Sequence, residues 1–368
     1  MAPYPLQTAF LGDYVHLKRG YDLPLAERHP GSVPIVSSSG VTGTHNIAMV
    51  PGPGVVTGRY GTLGEVFYIK DDFWPLNTSL YVKDFKGNDK RFISYFLQTI
   101  LHASFNSAGA VPGVNRNVLH KLKIAPPPAP QKKIAAILTA YDDLIENNRQ
   151  RIALLEKMAE EIYREWFVRL RFPGHKHTPV YKGVPEGWDV QRLSDLVSLE
   201  YGKAMKADER SGQGYPVVGS SGIVGRHSES LVKGPGIVVG RKGNVGSVIW
   251  LDEDFFPIDT TYYIKTKVNL PWVYYLLQQM SFLDGDAAVP GLNRKQAYSN
   301  IVFMPPSGLI DKFAELVTPM FDQVRNLSKT NDTLSATRDL LLNRLISGKL
   351  RVDDLDIQFP PSMQTETT

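Results

Sequence analysis

The sequence has 368 residues, 42% of them hydrophobic, which is enough for two ordinary domains that each bury a core. Its 41 Lys and Arg residues only slightly outnumber its 37 Asp and Glu residues, a balance compatible with a nucleic-acid partner but no demonstration of one. The absence of cysteine excludes disulfides and thiolate metal sites. Because Met1–Phe10 lacks a charged and apolar leader and no apolar run is long enough to cross a bilayer, we expect a cytoplasmic protein with no membrane partner.

The chain contains an internal repeat. Residues 34–82 align without a gap with residues 216–264 at a constant offset of 182, and 22 of these 49 positions are identical. Chance would give roughly three identities, so the repeat indicates a duplicated domain rather than shared turn chemistry. After a four-residue deletion, the segment Ala110–Arg116 returns as Ala288–Arg294.

Each copy is predicted to be a compact mixed α and β domain. In the first copy, short β-rich runs at residues 55–57, 66–69 and 79–83 lie between glycine and proline residues that favour turns. Brief helices are predicted at Arg91–His102 and, in the second copy, at Pro271–Phe282.

A heptad pattern follows the prolines that end each copy, Pro126–Pro128 and Pro305–Pro306. Its seam residues recur in alternating steps of four and three, and the two seams share one phase at an offset of 179. The seams consist of Ile134, Leu138, Tyr141, Ile145, Asn148, Ile152, Leu155, Ala159, Ile162 and Trp166, and of Phe313, Val317, Met320, Val324, Leu327, Asn331, Leu334, Arg338, Leu341 and Leu345. Pro319 predicts a kink or a delayed start in the second helix.

Two long helices with apolar seams require partners. A helix of about 40 residues is roughly 60 Å long, and its seam cannot face water over that length. We therefore expect the two helices to pair with each other as an antiparallel coiled coil, with the domains at opposite ends and pseudo-twofold symmetry. Asn148 and Asn331 are predicted to face each other and fix the helix register, and the alternative is a partly exposed Asn in each helix.

These patterns together predict the fold class and the division of the chain. The fold class is α/β in the mixed α+β sense, with two repeated globular domains separated by two long antiparallel helices. The predicted segments are a first domain in residues 1–125, a first helix in 126–172, a linker and second domain in 173–304, a second helix in 305–350 and a tail in 351–368. His175 and His177 in the linker lack a third ligand nearby, which favours a solvated linker over a metal site.

The sequence shows no catalytic motif. No proline pair is followed by the aromatic residue that an amino-methyltransferase motif carries. The acid-x-Lys pattern of Asp84–Lys86 loses its acid at Thr266 in the second copy, which favours a surface hairpin tip over a metal-dependent nuclease site. The glycine-rich segments Gly58–Gly64 and Gly240–Gly246 lack the spacing of a nucleotide-binding motif. They favour tight turns, with close approach to a DNA backbone as the alternative.

Short motifs mark the boundaries of the copies and of the helices. They are Val184–Trp188 with Leu193–Asp195, Val111–Arg116, Val289–Arg294, Glu165–Val168, Leu340–Leu342 and Leu345–Leu350. These motifs open the second copy, precede the prolines of both copies and close the two long helices. In their order and duplication along almost the entire chain, they resemble the motifs of the specificity subunits of type I restriction-modification enzymes. The first copy departs from the family by lacking the Pro-Glu-Gly-Trp opening.

The resemblance implies a non-catalytic reader of double-stranded DNA. Each domain would read one half of an asymmetric, bipartite target, and the helices would fix the spacer. Two methyltransferase subunits would dock on them with S-adenosylmethionine and methylate adenine at N6, while restriction subunits would add cleavage driven by ATP and Mg. This chain itself would hold no cofactor, metal or catalytic residue. The alternatives are the reader of a related restriction or methylation system, a protein-only helical adaptor, and a standalone enzyme, which the missing motifs disfavour.

Comparison of the copies separates two kinds of DNA-contact candidate, because base contacts should differ between half-sites while phosphate contacts stay alike. The differing residues are polar, lie beside shared glycines and include types that can address base edges. They are Thr44, Asn46, Tyr60 and Thr62 in the first copy and Arg226, Ser228, Lys242 and Asn244 in the second. The shared residues, suited to phosphates, are Ser38, Arg59, Asn115 and Arg116 with Ser220, Arg241, Asn293 and Arg294. Turn capping and solvated polar surface are the alternative roles.

Overall fold

The computed structural model describes residues 9–60, 64–105, 114–282 and 291–364, apart from the side chains of 102–105. Its contacts divide the chain into a first unit, Met1–Asn147 with Thr330–Thr368, and a second unit, Asn148–Lys329. Each unit contains one copy of the repeated domain and a part of both long helices. Within the described ranges, none of the helices combines the length and the apolar character of a membrane span.

Within its described residues, the first unit contains a four-stranded, a three-stranded and a two-stranded sheet together with short helices. Its strands are β1 (Ala9–Phe10), β2 (His16–Arg19), β3 (Val33–Ser37), β4 (Gly40–His45), β5 (Gly54–Gly58), β6 (Val66–Ile69), β7 (Trp74–Pro75), β8 (Ser79–Asp84) and β9 (Lys123–Ile124). Its short helices are α1 (Lys90–Phe105) and α2 (Arg116–His120), and the chain then enters α3 (Gln131–Tyr163). The sheets have the strand orders β2-β8-β5-β6 and β4-β3-β7, and β1 pairs with β9.

The second unit repeats this architecture. Its strands are β10 (Val180–Tyr181), β11 (Val184–Pro185), β12 (Asp189–Arg192), β13 (Val197–Tyr201), β14 (Tyr215–Gly219), β15 (Gly222–His227), β16 (Gly236–Gly240), β17 (Val248–Leu251), β18 (Phe256–Pro257), β19 (Thr261–Thr266) and β20 (Ile301–Met304). Its helices are α4 (Leu193–Leu196), α5 (Leu270–Gln278), α6 (Arg294–Ser299) and the first part of α7 (Ser307–Ile346), and α8 (Pro361–Gln364) follows in the first unit. The strand orders β13-β19-β16-β17, β15-β14-β18 and β12-β20 match those of the first unit, which confirms the duplication.

The predicted short elements recur with shifted ends. The three predicted strands of the first copy fall in β5, β6 and β8. Helix α5 ends at Gln278 rather than at Phe282, because Phe282 leaves the helix to fill the core. Its side chain is 7% exposed and its Cβ lies beside Gly246.

The long helices run antiparallel in each unit, as the heptad pattern predicts. In the first unit, Ile134 at the start of α3 shares a core with Leu345 at the end of α7. In the second unit, the ring of Tyr163 at the end of α3 lies 5.8 Å from that of Phe313 near the start of α7. Every seam residue of both helices is buried or half-buried, so the seams are the faces that the helices bury.

The predicted delay of the second helix at Pro319 is wrong, whereas the kink at Pro319 stays a prediction. Helix α7 begins at Ser307 and runs through Pro319 to Ile346. Phe313 and Val317, both at 0% exposure, bind the preceding turns to the core, and this burial offsets the loss of one backbone hydrogen bond. Helix α3 ends in a π-helical turn, Arg164–Val168, in which Trp166 still packs against Phe313 at 6.1 Å.

The polar seam residues occupy the middle of the helices. Asn148 is 7% exposed, and Asn331 Nδ2 donates to the carbonyl oxygen of Ile145, one turn before Asn148 in α3. The burial of Asn148 is inconsistent with the alternative in which this side chain is partly exposed. The direct pairing of Asn148 with Asn331 stays a prediction.

Candidate nucleic-acid interface

Two of the shared arginines converge in the second domain. Arg241 follows β16, and Arg294 begins α6. Their guanidinium carbons lie 5.0 and 5.1 Å from the centre of the Tyr201 ring, which itself packs against Tyr262 at 4.9 Å. The negative ring face attracts both cations and so holds them together at one end of the sheet.

The charges of these arginines are not neutralised by carboxylates within the described part of the chain. Arg241 Nη1 donates to the carbonyl oxygen of Asp259 at 3.0 Å, and Arg294 Nη1 donates to that of Leu199 at 3.3 Å. Burial is the main cause that raises the pKa of Tyr262 to about 12, so its hydroxyl stays protonated and donates to the Leu292 carbonyl. The cluster therefore carries net positive charge, which suits an anion such as a phosphate.

A tight loop places two further candidates beside Arg241. A Cβ on Gly240 would lie 2.0 Å from the carbonyl oxygen of Asn244, and Gly243 has a φ of 77°. Only glycine tolerates this close approach and this left-handed conformation without strain. The turn leaves Lys242 and Asn244 exposed. The tight-turn interpretation of Gly240–Gly246 thus fits the structure.

The loop also meets the hairpin turn between β14 and β15. Ser247 Oγ donates to the carbonyl oxygen of Ser220 at 2.7 Å. Leu292 N donates to the carbonyl oxygen of Arg241 at 2.9 Å and ties the approach to α6 to the same place. Six candidates of the second domain are thus brought together: Ser220, Arg241, Lys242, Asn244, Asn293 and Arg294.

The first domain has a corresponding cluster with different contacts. Arg59 stacks on the exposed ring of Tyr60 at 4.6 Å, and its carbonyl oxygen accepts from Val114 N at 2.9 Å, next to Asn115 and Arg116. Ser38 lies in the turn between β3 and β4, the place that Ser220 has in the second copy. Thr62 lies outside the described residues.

Asn115 and Asn293 cap the short helices that they precede. Their side-chain oxygens accept from Asn117 N and Lys295 N, both at 2.9 Å. An N-cap satisfies a backbone donor that the helix leaves without a partner. The capping role considered from the sequence is therefore present at both positions, whereas Arg116 is exposed at the start of α2.

Four differing candidates lie away from these clusters. Thr44 and Asn46 are near the end of β4, and Arg226 and Ser228 are near the end of β15, in both cases at the opposite end of the hairpin from the serine turn. The six residues of β15 span about 20 Å at the usual rise per residue. Arg226 also pairs with Glu253 at 3.5 Å, which lowers its availability for DNA.

The comparison of the copies missed Tyr201 on β13, which contacts both arginines of the second cluster. Arg19 on β2 has the equivalent strand position in the first domain, but its guanidinium pairs with Asp22 at 3.0 Å. Both lie outside the aligned segments 34–82 and 216–264, so the offset gave no signal. The β-strand pattern that precedes each aligned segment was the sequence feature that could have indicated these two positions.

The remaining polar groups of interest are engaged locally. The Asp84 carboxylate accepts from Lys86 N at 2.8 Å and pairs with Lys86 Nζ at 3.1 Å, and the hydrogen bond from Lys86 N is the main cause of the lowered pKa of Asp84. His175 Nδ1 lies 2.8 Å from the Phe172 carbonyl oxygen. The described residues contain no group of three or more His, Asp or Glu side chains that could hold a metal ion.

Comparison with known proteins identifies the class. The family model for the type I restriction modification DNA specificity domain matches residues 3–157 and 185–306. These segments cover more than half of the chain, and the chain therefore belongs to this family and carries two of its domains. The resemblance noted from the motifs is confirmed.

Curated relatives and a solved structure agree with this assignment. The chain is 25% identical over 327 residues to the type I restriction enzyme MjaIX specificity subunit of Methanocaldococcus jannaschii, covering 76% of this chain and 74% of that protein. It is 21% identical over 331 residues to the MjaVIII specificity subunit of the same organism, covering 80% and 78%. The crystal structure of a type I restriction-modification S subunit from M. genitalium has the same fold, with a TM-score of 0.60, 17% identity and coverage of 92% and 96%.

Proposed function

We propose that this chain is the non-catalytic DNA reader of a type I restriction-modification enzyme. Each repeated domain reads one half of an asymmetric, bipartite target in double-stranded DNA. The observation that carries the proposal is the cluster of Arg241 and Arg294 on Tyr201, whose charges have no carboxylate partner among the described residues. Lys242 and Asn244 project beside this cluster, at positions that hold Tyr60 and Thr62 in the first copy.

The two kinds of residue divide the work of recognition. Shared arginines bind phosphates and set the orientation of each domain, whereas the differing loop residues contact base edges. The loop of Gly240–Gly246 lets its backbone come close to the DNA because glycine has no side chain to obstruct it. Two different loops on one scaffold give two different half-sites.

The chemistry lies on partner subunits. Two methyltransferase subunits dock on α3 and α7 with S-adenosylmethionine and methylate adenine at N6, and restriction subunits supply cleavage with ATP and Mg. The complex acts on DNA in the cytoplasm. The sequence lacks the catalytic motifs considered above, and Asp84 is engaged by Lys86, and both features support a reader without catalytic residues.

Duplex binding by the full chain, measured by fluorescence anisotropy between 50 and 200 mM salt, tests the DNA role. If the second cluster contacts two phosphates through Arg241 and Arg294, counterion release weakens binding by about 12-fold over this range. A reader in a related restriction system gives the same result and is distinguished by its partner enzyme. A protein-only adaptor shows no salt-sensitive duplex binding, and that result contradicts the proposal.

A further inference from the structure

An aromatic groove in the second unit is lined by none of the DNA-contact candidates. It has a volume of about 800 Å³ and lies between α3, β17, α5 and α7. Trp250 forms one wall with Phe321 and Tyr274, whose ring centres lie 4.6 and 5.6 Å from its own. All three side chains are half-buried, so the groove presents ring surface to solvent.

A carboxylate faces this wall from α3. Glu156 has no hydrogen bond or ion pair to any residue that the structure describes. Desolvation raises the pKa of Glu156, although its side chain is exposed at the mouth of the groove. The pKa of Tyr274 rises to about 12, first through burial and then through the negative charge of Glu156. A carboxylate and ring faces that share one groove favour a cation there.

The two cations that line the groove, Arg164 and Lys157, do not pair with Glu156. Arg164 pairs with Glu160 at 3.1 Å and with Glu161 at 3.8 Å. It lies two helical turns beyond Glu156, roughly 12 Å along the axis. Lys157 is adjacent to Glu156 in sequence, and consecutive residues of a helix do not face each other. With Asp252 on the opposite wall, four carboxylates and two cations line the groove, so its net charge is negative.

The first unit has an ion pair at the equivalent positions of the two long helices. At the offset of 179 between the long helices, Ala159 corresponds to Arg338 and Phe321 corresponds to Asp142. Arg338 Nη1 pairs with Asp142 Oδ1 at 2.6 Å, so the first unit supplies its own arginine. In the second unit the small side chain of Ala159, 1% exposed, stands at the arginine position. The second unit thus replaces both members of this ion pair, and the ring of Phe321 stands where the first unit has the Asp142 carboxylate.

We propose that the groove lined by Trp250, Tyr274, Phe321 and Glu156 binds a lysine or arginine side chain of a partner polypeptide that packs along α3 and α7. The inference rests on the proposed function in that the partner is the methyltransferase subunit. Charge complementarity selects a basic side chain, because an acidic one would meet Glu156 and an aliphatic one would leave that carboxylate without a partner. At the offset of 179, Glu156 corresponds to Ser335 and Phe321 corresponds to Asp142, so the first unit lacks this combination of carboxylate and ring, and the chain takes up one such side chain.

The test measures binding of the full chain to the purified methyltransferase by isothermal titration calorimetry. Glu156→Gln removes the charge with little change in shape, and we expect the Kd to rise about fivefold, the upper range for an ion pair of an exposed carboxylate. Glu156→Lys supplies a cation within the chain and should weaken binding further. Glu315→Gln on α7 is the matched control, since it removes an exposed carboxylate of the same unit and should change the Kd less than twofold.

Two further measurements keep the outcome decisive. Trp250→Leu should weaken binding similarly, and thermal unfolding of each variant shows whether its fold is retained. If folded Glu156→Gln binds the methyltransferase as the wild-type chain does, or if no complex forms, the inference is overturned. Duplex DNA binding is measured on the same samples. Loss of methyltransferase affinity in a chain that never binds DNA supports the groove and removes the reader role, so the two failures are distinguishable.

Discussion

Replacement of Arg294 by alanine tests the phosphate-binding role of the second cluster. The Arg294 guanidinium makes its hydrogen bond to a carbonyl oxygen and stacks on Tyr201, so its full charge is available to a phosphate. Removal of one phosphate contact lowers the slope of log K against log salt by about 0.9, which corresponds to a roughly 3.5-fold smaller loss of affinity between 50 and 200 mM salt. Arg241→Ala should lower it by a similar amount, and the double variant by about 1.8.

Fluorescence anisotropy with a target duplex and a scrambled duplex measures this effect. Because a phosphate contact carries no sequence information, Arg294→Ala should weaken binding to both duplexes equally. Lys267→Ala is the charge-matched control, because Lys267 lies just beyond β19 at the end of the sheet opposite to Arg241. An unchanged slope in Arg294→Ala, or a loss confined to the target duplex, would refute the assignment of Arg294 to a phosphate.

Two stability predictions concern the scaffold. Asp142→Ala removes a half-exposed ion pair with Arg338 and the hydrogen bond from the buried Tyr95 hydroxyl, so urea unfolding of the first unit should show a loss of about 2 kcal/mol. A loss below a few tenths of a kcal/mol would mean that this network does not stabilise the helix pair. Gly240→Ala places a Cβ 2.0 Å from a carbonyl oxygen and should cost about 1–3 kcal/mol in the second unit, whereas Gly308→Ala, with open space around it, should be neutral or stabilising. Equal stability of the two glycine variants would contradict the tight-turn interpretation.

The sequence predicted the parts of the fold that a period or an offset encodes. The offset of 182 placed matching strands in both copies, and the heptad seams predicted two antiparallel helices whose seam residues are all buried or half-buried. The sequence predicted the type of each element, helix or strand, better than the residue at which the element ends. The sequence predicts a helix that extends to Phe282, but Phe282 lies beyond α5 and packs in the core. Pro319 is accommodated within α7 because Phe313 and Val317 bind α7 to that core.

The candidate site was predicted less completely, because it depends on contacts between distant segments. The shared Arg241 and Arg294 were found by comparing the copies, but their common partner Tyr201 lies outside the aligned segment. Conversely, the difference between Arg226 and Thr44 predicts a base contact at Arg226. Arg226 lies at the end of its hairpin opposite to the Ser220 turn, however, and pairs with Glu253. Sequence comparison detects which positions differ, whereas tertiary structure decides which of them share a surface.

Single-molecule sequencing for N6-methyladenine tests the reader role most directly. A host expressing this chain with its neighbouring methyltransferase is compared with a host expressing the methyltransferase alone. We predict methylation of one split, asymmetric motif with a fixed spacer, present only when the chain is present. Methylation without the chain, or no methylation despite a purified complex of the two proteins, would contradict the assignment of this chain as the DNA reader.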